Sequence, residues 1–173
     1  MPVGVYLHIP FCKSRCSYCD FATDVYRDSG GVQKYIEALV KEVDSFSDMQ
    51  PLTEVRAADT IYFGGGTPSL ISAKQLEQIL QSVHREFDVQ TDAEITMEMN
   101  PATVTLETLR DYLAFGVNRA SFGVQTFNDR DLRLLARGHD ANDARKTFRL
   151  LREAGFENVS FDLIAGLPSQ TLD

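Results

Sequence analysis

The sequence predicts an α/β fold with a parallel sheet, and two patterns predict it. Five short apolar stretches alternate with amphipathic segments along 173 residues, and a βαβα series makes neighbouring strands parallel because each helix returns the chain to the same end of the sheet. Four of the five strands also alternate polar with apolar side chains. Strands of a flat sheet covered by helices on both faces would be almost uniformly apolar, so the polar faces predict a curved sheet, a full or partial (β/α) barrel with outer helices and a polar lumen.

In chain order, "VGVYLHI" (3–9) is the first strand, with Val5, Leu7 and Ile9 opposing Tyr6 and His8. The segment "VQKYIEALVKEVDSF" places Val32, Tyr35, Ile36, Leu39, Val40 and Val43 on one helical stripe. "TIYFGG" (60–65) is the second strand. Ser72 is suited to cap a helix whose apolar face is Leu76, Ile79, Leu80, Val83 and Phe87. "EITMEMN" (94–100) is the third strand, sorting Ile95, Met97 and Met99 to one face and Glu94, Thr96, Glu98 and Asn100 to the other. Thr105 to Phe115 reads as a helix stopped by Gly116, and "NRASFGVQ" as the fourth strand, with Ala120, Phe122 and Val124 opposing Arg119, Ser121, Gly123 and Gln125. A helix from Ala141 to Ala154 stops at Gly155, and "VSFDLI" is the fifth strand, with Val159, Phe161 and Leu163 opposing Ser160 and Asp162. No linker, repeat or low-complexity run interrupts the pattern, and residues 1–173 read as one domain.

Charge and cysteine usage narrow the function. The chain has 17 basic against 25 acidic side chains, a net charge of -8, which disfavours nucleic acid as a partner. No run of about 18 apolar residues predicts a membrane span. All three cysteines fall within "HIPFCKSRCSYCDF" (8–21), an odd number that cannot form a disulfide framework; with no signal peptide near Met1, a cytoplasmic location is expected.

Cys12, Cys16 and Cys19 stand at C-x3-C-x2-C spacing in the loop after the first strand. In a barrel of this type that loop opens at the strand C-termini, the same mouth as Tyr6, Glu98, Gln125 and Asp162. Three thiolates can hold four irons bridged by sulfides, leaving one iron open to a substrate. Two alternatives remain at this point: a structural zinc site completed by His8, and a packed trio of thiols. The glycines of "GGGTP" could let backbone N–H groups approach a ligand closely, or could form an ordinary tight turn. Arg137 in "LLARGH" could lie on a solvated helix face, and His84 and His139 read as surface residues.

"CKSRCSYC" followed by "GGGTP" resembles the radical S-adenosylmethionine (radical SAM) superfamily. "YLHIPFC", "YCDF", "YFGGGTPS", "EMNP", "FGVQTF" and "DLIAGLP" narrow the resemblance to the oxygen-independent coproporphyrinogen III oxidase-like proteins and their heme chaperone branch, over nearly the whole chain. The resemblance implies a partial (β/α) barrel of the radical SAM type, here truncated after the fifth strand. It implies that Cys12, Cys16 and Cys19 ligate a 4Fe–4S cluster and that Tyr6, Tyr18, Gly65, Gly66 and Thr67 line the S-adenosylmethionine site. Glu98, Gln125 and Asp162 match polar cofactor contacts, and Arg137 an arginine near the cofactor carboxylate. No catalytic side chain is assigned, since the cofactor carries the reductive cleavage of its sulfonium bond.

Two functions are compatible with the resemblance: a chaperone that binds heme and passes it to acceptor proteins, and an oxidase that decarboxylates porphyrinogen propionates. The oxidase pattern has a fourth cysteine two residues after the third, where this chain has Phe21, the form of the chaperone branch. The implied partners are S-adenosylmethionine, heme or a porphyrinogen, an electron donor such as flavodoxin or ferredoxin, and a heme-acceptor protein. The chain ends in "GLPSQTLD", where a helix is expected to begin; the groups that contact heme or porphyrinogen are expected in a further region.

Overall fold

A computed structural model of the chain describes residues 1–25, 28–49, 56–168 and 170–171. The order is β1 (Val3–Ile9), β2 (Phe11–Cys12), β3 (Asp24–Val25), α1 (Ser29–Asp44), α2 (Phe46–Met49), β4 (Arg56–Gly65), a 3-10 turn (Pro68–Leu70), α3 (Ala73–Glu86), β5 (Phe87–Met99), α4 (Leu106–Ala114), β6 (Arg119–Gln125), α5 (Asp129–Leu134), α6 (Ala141–Ala154) and β7 (Asn158–Leu163). The main sheet is parallel throughout and runs β1-β4-β5-β6-β7. This sequential order has no reversal. Right-handed crossovers that always step in the same direction place their helices on one face, so the other face is left for a lumen, as the alternation predicts.

Capping residues written in the sequence start and stop the helices. Ser72 and Asp140 form capping boxes with Gln75 and Asp143, each satisfying two otherwise orphaned amide donors. Gly155 ends α6 at φ 114°, a left-handed conformation that a Cβ disfavours. The apolar stripes of α1, α3, α4 and α6 then bury Ile36, Leu76, Ile79, Leu109 and Leu151 against Leu7, Ile61, Phe63, Met97 and Phe122 of the sheet, each contributing about 1.5–3 kcal/mol by leaving water. Tyr112 of α4 is fully buried and donates to the carbonyl of Ile71 at 2.8 Å.

Several elements differ from the sequence expectation. Phe87 is not on the helix face: α3 passes directly into β5, and Phe87 pairs with Arg56 at its start. The second and third strands are longer than expected, reaching back to Arg56 and Phe87, because the register jumps between Ala58 and Thr60 and splits the β4–β5 ladder into two parts. Asn118 holds the rejoining point, accepting from the Ile95 amide and donating to the Ala93 carbonyl, both at 2.8 Å. The apolar face of the last strand is only partly covered: Phe161 and Leu163 are 45% and 58% exposed. The helix expected near the C-terminus falls partly on Ser169, Leu172 and Asp173, outside the described residues.

The lumen face is polar, as expected. Arg119 bridges it, donating to Thr96 Oγ1 at 3.1 Å and to Ser160 Oγ at 2.9 Å. Ser160 donates onward to Ser121 Oγ at 3.1 Å.

Candidate cofactor site at the cysteine loop

The loop carrying the three cysteines is anchored on both sides. At its base β2 pairs with β3, and the amides of Gly66 and Thr67 donate to the carbonyls of Ile9 and Phe11 at 2.9 and 2.7 Å. At its tip Ser17 donates twice to the end of α5, from its amide to Leu135 O and from its hydroxyl to Leu134 O, each at 3.1 Å. The six-residue α5 was not expected, being too short for a periodic signal, yet its end supplies the anchor at the loop tip. Tyr35 of α1 adds a 2.6 Å bond to the carbonyl of His8.

His8 fastens the loop end. Its Nε2 is 2.8 Å from the Ala22 carbonyl, which can only accept, so Nε2 donates there, and Nδ1 is hydrogen-bonded to the Tyr6 hydroxyl at 3.0 Å. Both ring nitrogens are engaged, which removes His8 as the fourth ligand of a zinc site. Among the described residues, no group of three or more His, Cys, Asp or Glu side chains converges as a single metal ion requires.

The glycine run has a different local reason from the one expected. A Cβ on Gly65 would stand 2.7 Å from the His8 ring, and one on Gly66 would stand 2.7 Å from the Phe11 carbonyl. These glycines admit the cysteine loop to close range. Their amides are also taken: Gly65 donates to Glu98 Oε2 at 3.2 Å, Gly66 to Ile9 at the end of β1, and the following Thr67 to Phe11 at the start of the loop. The amides are therefore not spare donors for a ligand.

A cleft of about 220 Å³ opens beneath the loop at the strand C-termini. Cys12, Cys16 and Cys19 line it together with Tyr18, Gly65, Gly66, Glu98, Gln125, Arg137 and Asp162. Of the remaining sequence candidates, Thr67 is buried behind Cys12, its hydroxyl 3.7 Å from Sγ. Tyr6 is 58% exposed on edge strand β1, its ring stacked on Tyr62 at 6.1 Å, outside the cleft lining.

The cleft's polar groups are unequally held. Glu98 accepts from Tyr62 Oη at 2.6 Å and from the Gly65 amide; burial, then the bond to Glu98, pushes the Tyr62 phenol well above its ordinary range. Gln125 sits at φ 70°, a left-handed conformation uncommon for a residue with a Cβ, and its Nε2 lies over Gly123, 2.5 Å from where a Cβ would be. Arg137 is half-buried rather than on a solvated helix face. It donates to Cys16 Sγ at 3.3 Å, Tyr18 Oη at 3.5 Å, Asn100 Oδ1 at 2.6 Å and Gly123 O at 2.8 Å. Among the described residues, its Nε is buried without a partner. Burial pushes the Cys12 thiol up, with the Thr67 hydroxyl acting in the opposite sense.

Two further residues of the site were missed by the sequence reading. Tyr62 shares the lumen face of β4 and would have been found by extending the period-two analysis to "TIYFGG". Asn100 was placed on the lumen face but given no role. His84 is exposed as expected, whereas His139 is buried with Nε2 3.3 Å from the Val124 carbonyl, because the turn after α5 folds it back under β6.

Residues 6–173 match the radical SAM superfamily. The chain is 41% identical over 172 residues to the heme chaperone HemW of Lactococcus lactis, covering 99% of this chain and 43% of that protein. It is 37% identical to the heme chaperone HemW of Escherichia coli, covering 99% of this chain and 45% of that protein. The chain therefore spans less than half the length of these relatives. Among solved structures, coproporphyrinogen III oxidase (HemN) from Escherichia coli, described as a radical SAM enzyme, superposes with a TM-score of 0.88 at 35% identity, covering 98% of this chain and 38% of that one. With the family match enclosing the three thiols, the second half of β1 and all of β4, β5, β6 and β7, the chain belongs to the radical SAM superfamily, whose members imply a 4Fe–4S cluster, S-adenosylmethionine and an electron donor.

Proposed function

We propose that the protein is a heme chaperone with a radical SAM cofactor site, binding heme and passing it to acceptor proteins. The observation that carries this reading is the 41% and 37% identity, over 99% of the chain, to two proteins named heme chaperones. Phe21, where the oxidase pattern has a cysteine, supports it. The ring is 70% exposed at the rim of the cleft, so it does not merely pack, and it offers an apolar face to a flat macrocycle.

The residues present suit the implied cofactors. Three free thiols line one cleft, and thiolates are the ligands of iron–sulfur clusters; Cys12, Cys16 and Cys19 would hold the cluster. The Nε of Arg137, unpartnered among the described residues, is a buried donor suited to a carboxylate. Glu98, Gln125 and Asp162 offer acceptors to an ammonium group and to hydroxyls. When bound, the cluster and S-adenosylmethionine supply one-electron reductive cleavage of a sulfonium bond. The chain's own part is to orient these groups: Tyr62 and Gly65 fix the Glu98 carboxylate, and the anchors at Ser17 and Thr67 fix the loop. A reducing compartment, the cytoplasm, suits three unpaired thiols, and a flavodoxin- or ferredoxin-type protein suits the one-electron supply.

The second reading, an oxygen-independent coproporphyrinogen III oxidase, is favoured by the TM-score of 0.88 to HemN. The two separate in one experiment: anaerobic heme titration of the reconstituted protein alongside an assay of coproporphyrinogen III with S-adenosylmethionine and reductant. Saturable heme binding without conversion is expected. Vinyl product at multiple turnovers would overturn the chaperone reading in favour of the oxidase.

A further inference from the structure

We infer that Asn100 is a positioning residue that keeps hydrogen-bond donors on two of the three cysteine sulfurs at once, and so sets the reduction potential of the cluster those sulfurs would carry. The inference rests on the reading that Cys12, Cys16 and Cys19 hold that cluster.

Asn100 stands at the end of β5 between two donors. Its Oδ1 accepts from Arg137 Nη2 at 2.6 Å, and Nη1 of the same guanidinium lies 3.3 Å from Cys16 Sγ. Its Nδ2 donates to Thr67 Oγ1 at 2.8 Å, and that hydroxyl in turn lies 3.7 Å from Cys12 Sγ. The relay therefore runs from Cys16 through Arg137, Asn100 and Thr67 to Cys12, and its centre is a single side-chain amide.

The chemistry requires an amide at the centre. A threonine hydroxyl has one proton to give. Because Asn100 Nδ2 donates to Thr67, the Thr67 proton remains free for the sulfur. A carboxylate at position 100 would still hold Arg137 but would itself take the Thr67 proton, leaving Cys12 without its donor. An alanine would release both ends.

The amide is also held in place. The Asn100 carbonyl accepts from the Thr103 hydroxyl at 2.6 Å and from the Thr103 amide at 3.2 Å. Ala102, at φ 61°, donates its amide to Thr147 of α6 at 3.2 Å. Thr67 is 1% exposed, so water does not readily replace a lost partner there. Donors to cluster sulfurs stabilise the reduced, more negative state and raise the potential; their loss lowers it.

The test is the midpoint potential of the anaerobically reconstituted protein, from a redox titration followed by electron paramagnetic resonance, with iron and sulfide counted on each sample. Asn100→Ala is expected to load as the wild type does and to shift the oxidised-to-reduced ratio at fixed potential about tenfold toward oxidised, a change of about 59 mV for one electron. Thr67→Val, which adds no charge, should shift it the same way by less. The double variant should fall short of the sum of the two, because both act through one relay. Asn100→Asp should also lower the potential while keeping Arg137 in place, and it covers the case in which the alanine variant loads poorly. Loaded variants at the wild-type potential, or strictly additive shifts, would overturn the inference. A wild-type chain that takes up no cluster would overturn the underlying reading as well, and the iron count separates the two failures.

Discussion

Glu98 and Asp162 both present a carboxylate to the cleft, but among the described residues only Glu98 is hydrogen-bonded to the fold, by Tyr62 and Gly65. Asp162→Ala is therefore expected to weaken S-adenosylmethionine binding by about tenfold, the value of one charge-assisted hydrogen bond, with little change in stability. Glu98→Ala should weaken binding similarly and also destabilise the fold by about 1–3 kcal/mol, since it strands a part-buried phenol. Calorimetry and denaturant titration on both variants check the split. His139 gives a pH-dependent expectation. Burial, and next the neighbouring Arg137 charge, hold its folded pKa below the ordinary value, so the unfolded chain binds the proton more tightly. Its contribution is complete above the unfolded pKa of about 6.5 and is lost as pH falls below it. Unfolding free energies at pH 7 and pH 5 should differ less in His139→Gln than in the wild type. The cysteines, Glu98, Gln125 and Asp162 were legible because strand parity and loop position put them at one mouth. His139 and Asn100 were not, because their roles depend on a turn and a relay that join segments distant in sequence.

The cysteine loop is an element positioned by backbone contact, and that contact can be broken by one methyl group. A Cβ at Gly66 would meet the Phe11 carbonyl at 2.7 Å and the Pro10 backbone at 2.9 Å, atoms that cannot swing aside. Gly66→Ala should displace the loop and reduce iron uptake several-fold while leaving far-ultraviolet circular dichroism nearly unchanged. At the other edge, β7 pairs only with β6 among the described residues, and Phe161 and Leu163 are exposed beside Phe127 and Phe148. An open edge with an apolar face favours self-association. Leu163→Lys should lower it, as read by light scattering, with a stability change within about 0.5 kcal/mol. Helices α3 and α6 were legible to within a residue or so because their caps are written in side chains. The exception at Phe87 arose because α3 runs into β5 without a turn, so the apolar periodicity continued past the helix. The short β2–β3 pair and α5 carry too few residues for any period to register.

Across the whole molecule, the sequential order β1-β4-β5-β6-β7 separates the work of the two sheet faces. The helix-covered face carries the apolar core, and the opposite face carries Arg119, Thr96, Ser121 and Ser160 beneath the cleft. Strand alternation in the sequence already contained this division, since period two assigns every residue to one face or the other. The sequence did not contain the reason for the glycine run. It supports the loop rather than offering amides to a ligand, a distinction set by contacts between β1, β4 and the loop. All these features converge on one claim, that Cys12, Cys16 and Cys19 hold an iron–sulfur cluster at the mouth of the lumen. Iron and acid-labile sulfide per chain, measured after anaerobic reconstitution, test it most directly. About four of each is the expected result, whereas stoichiometric zinc with iron refused would contradict it.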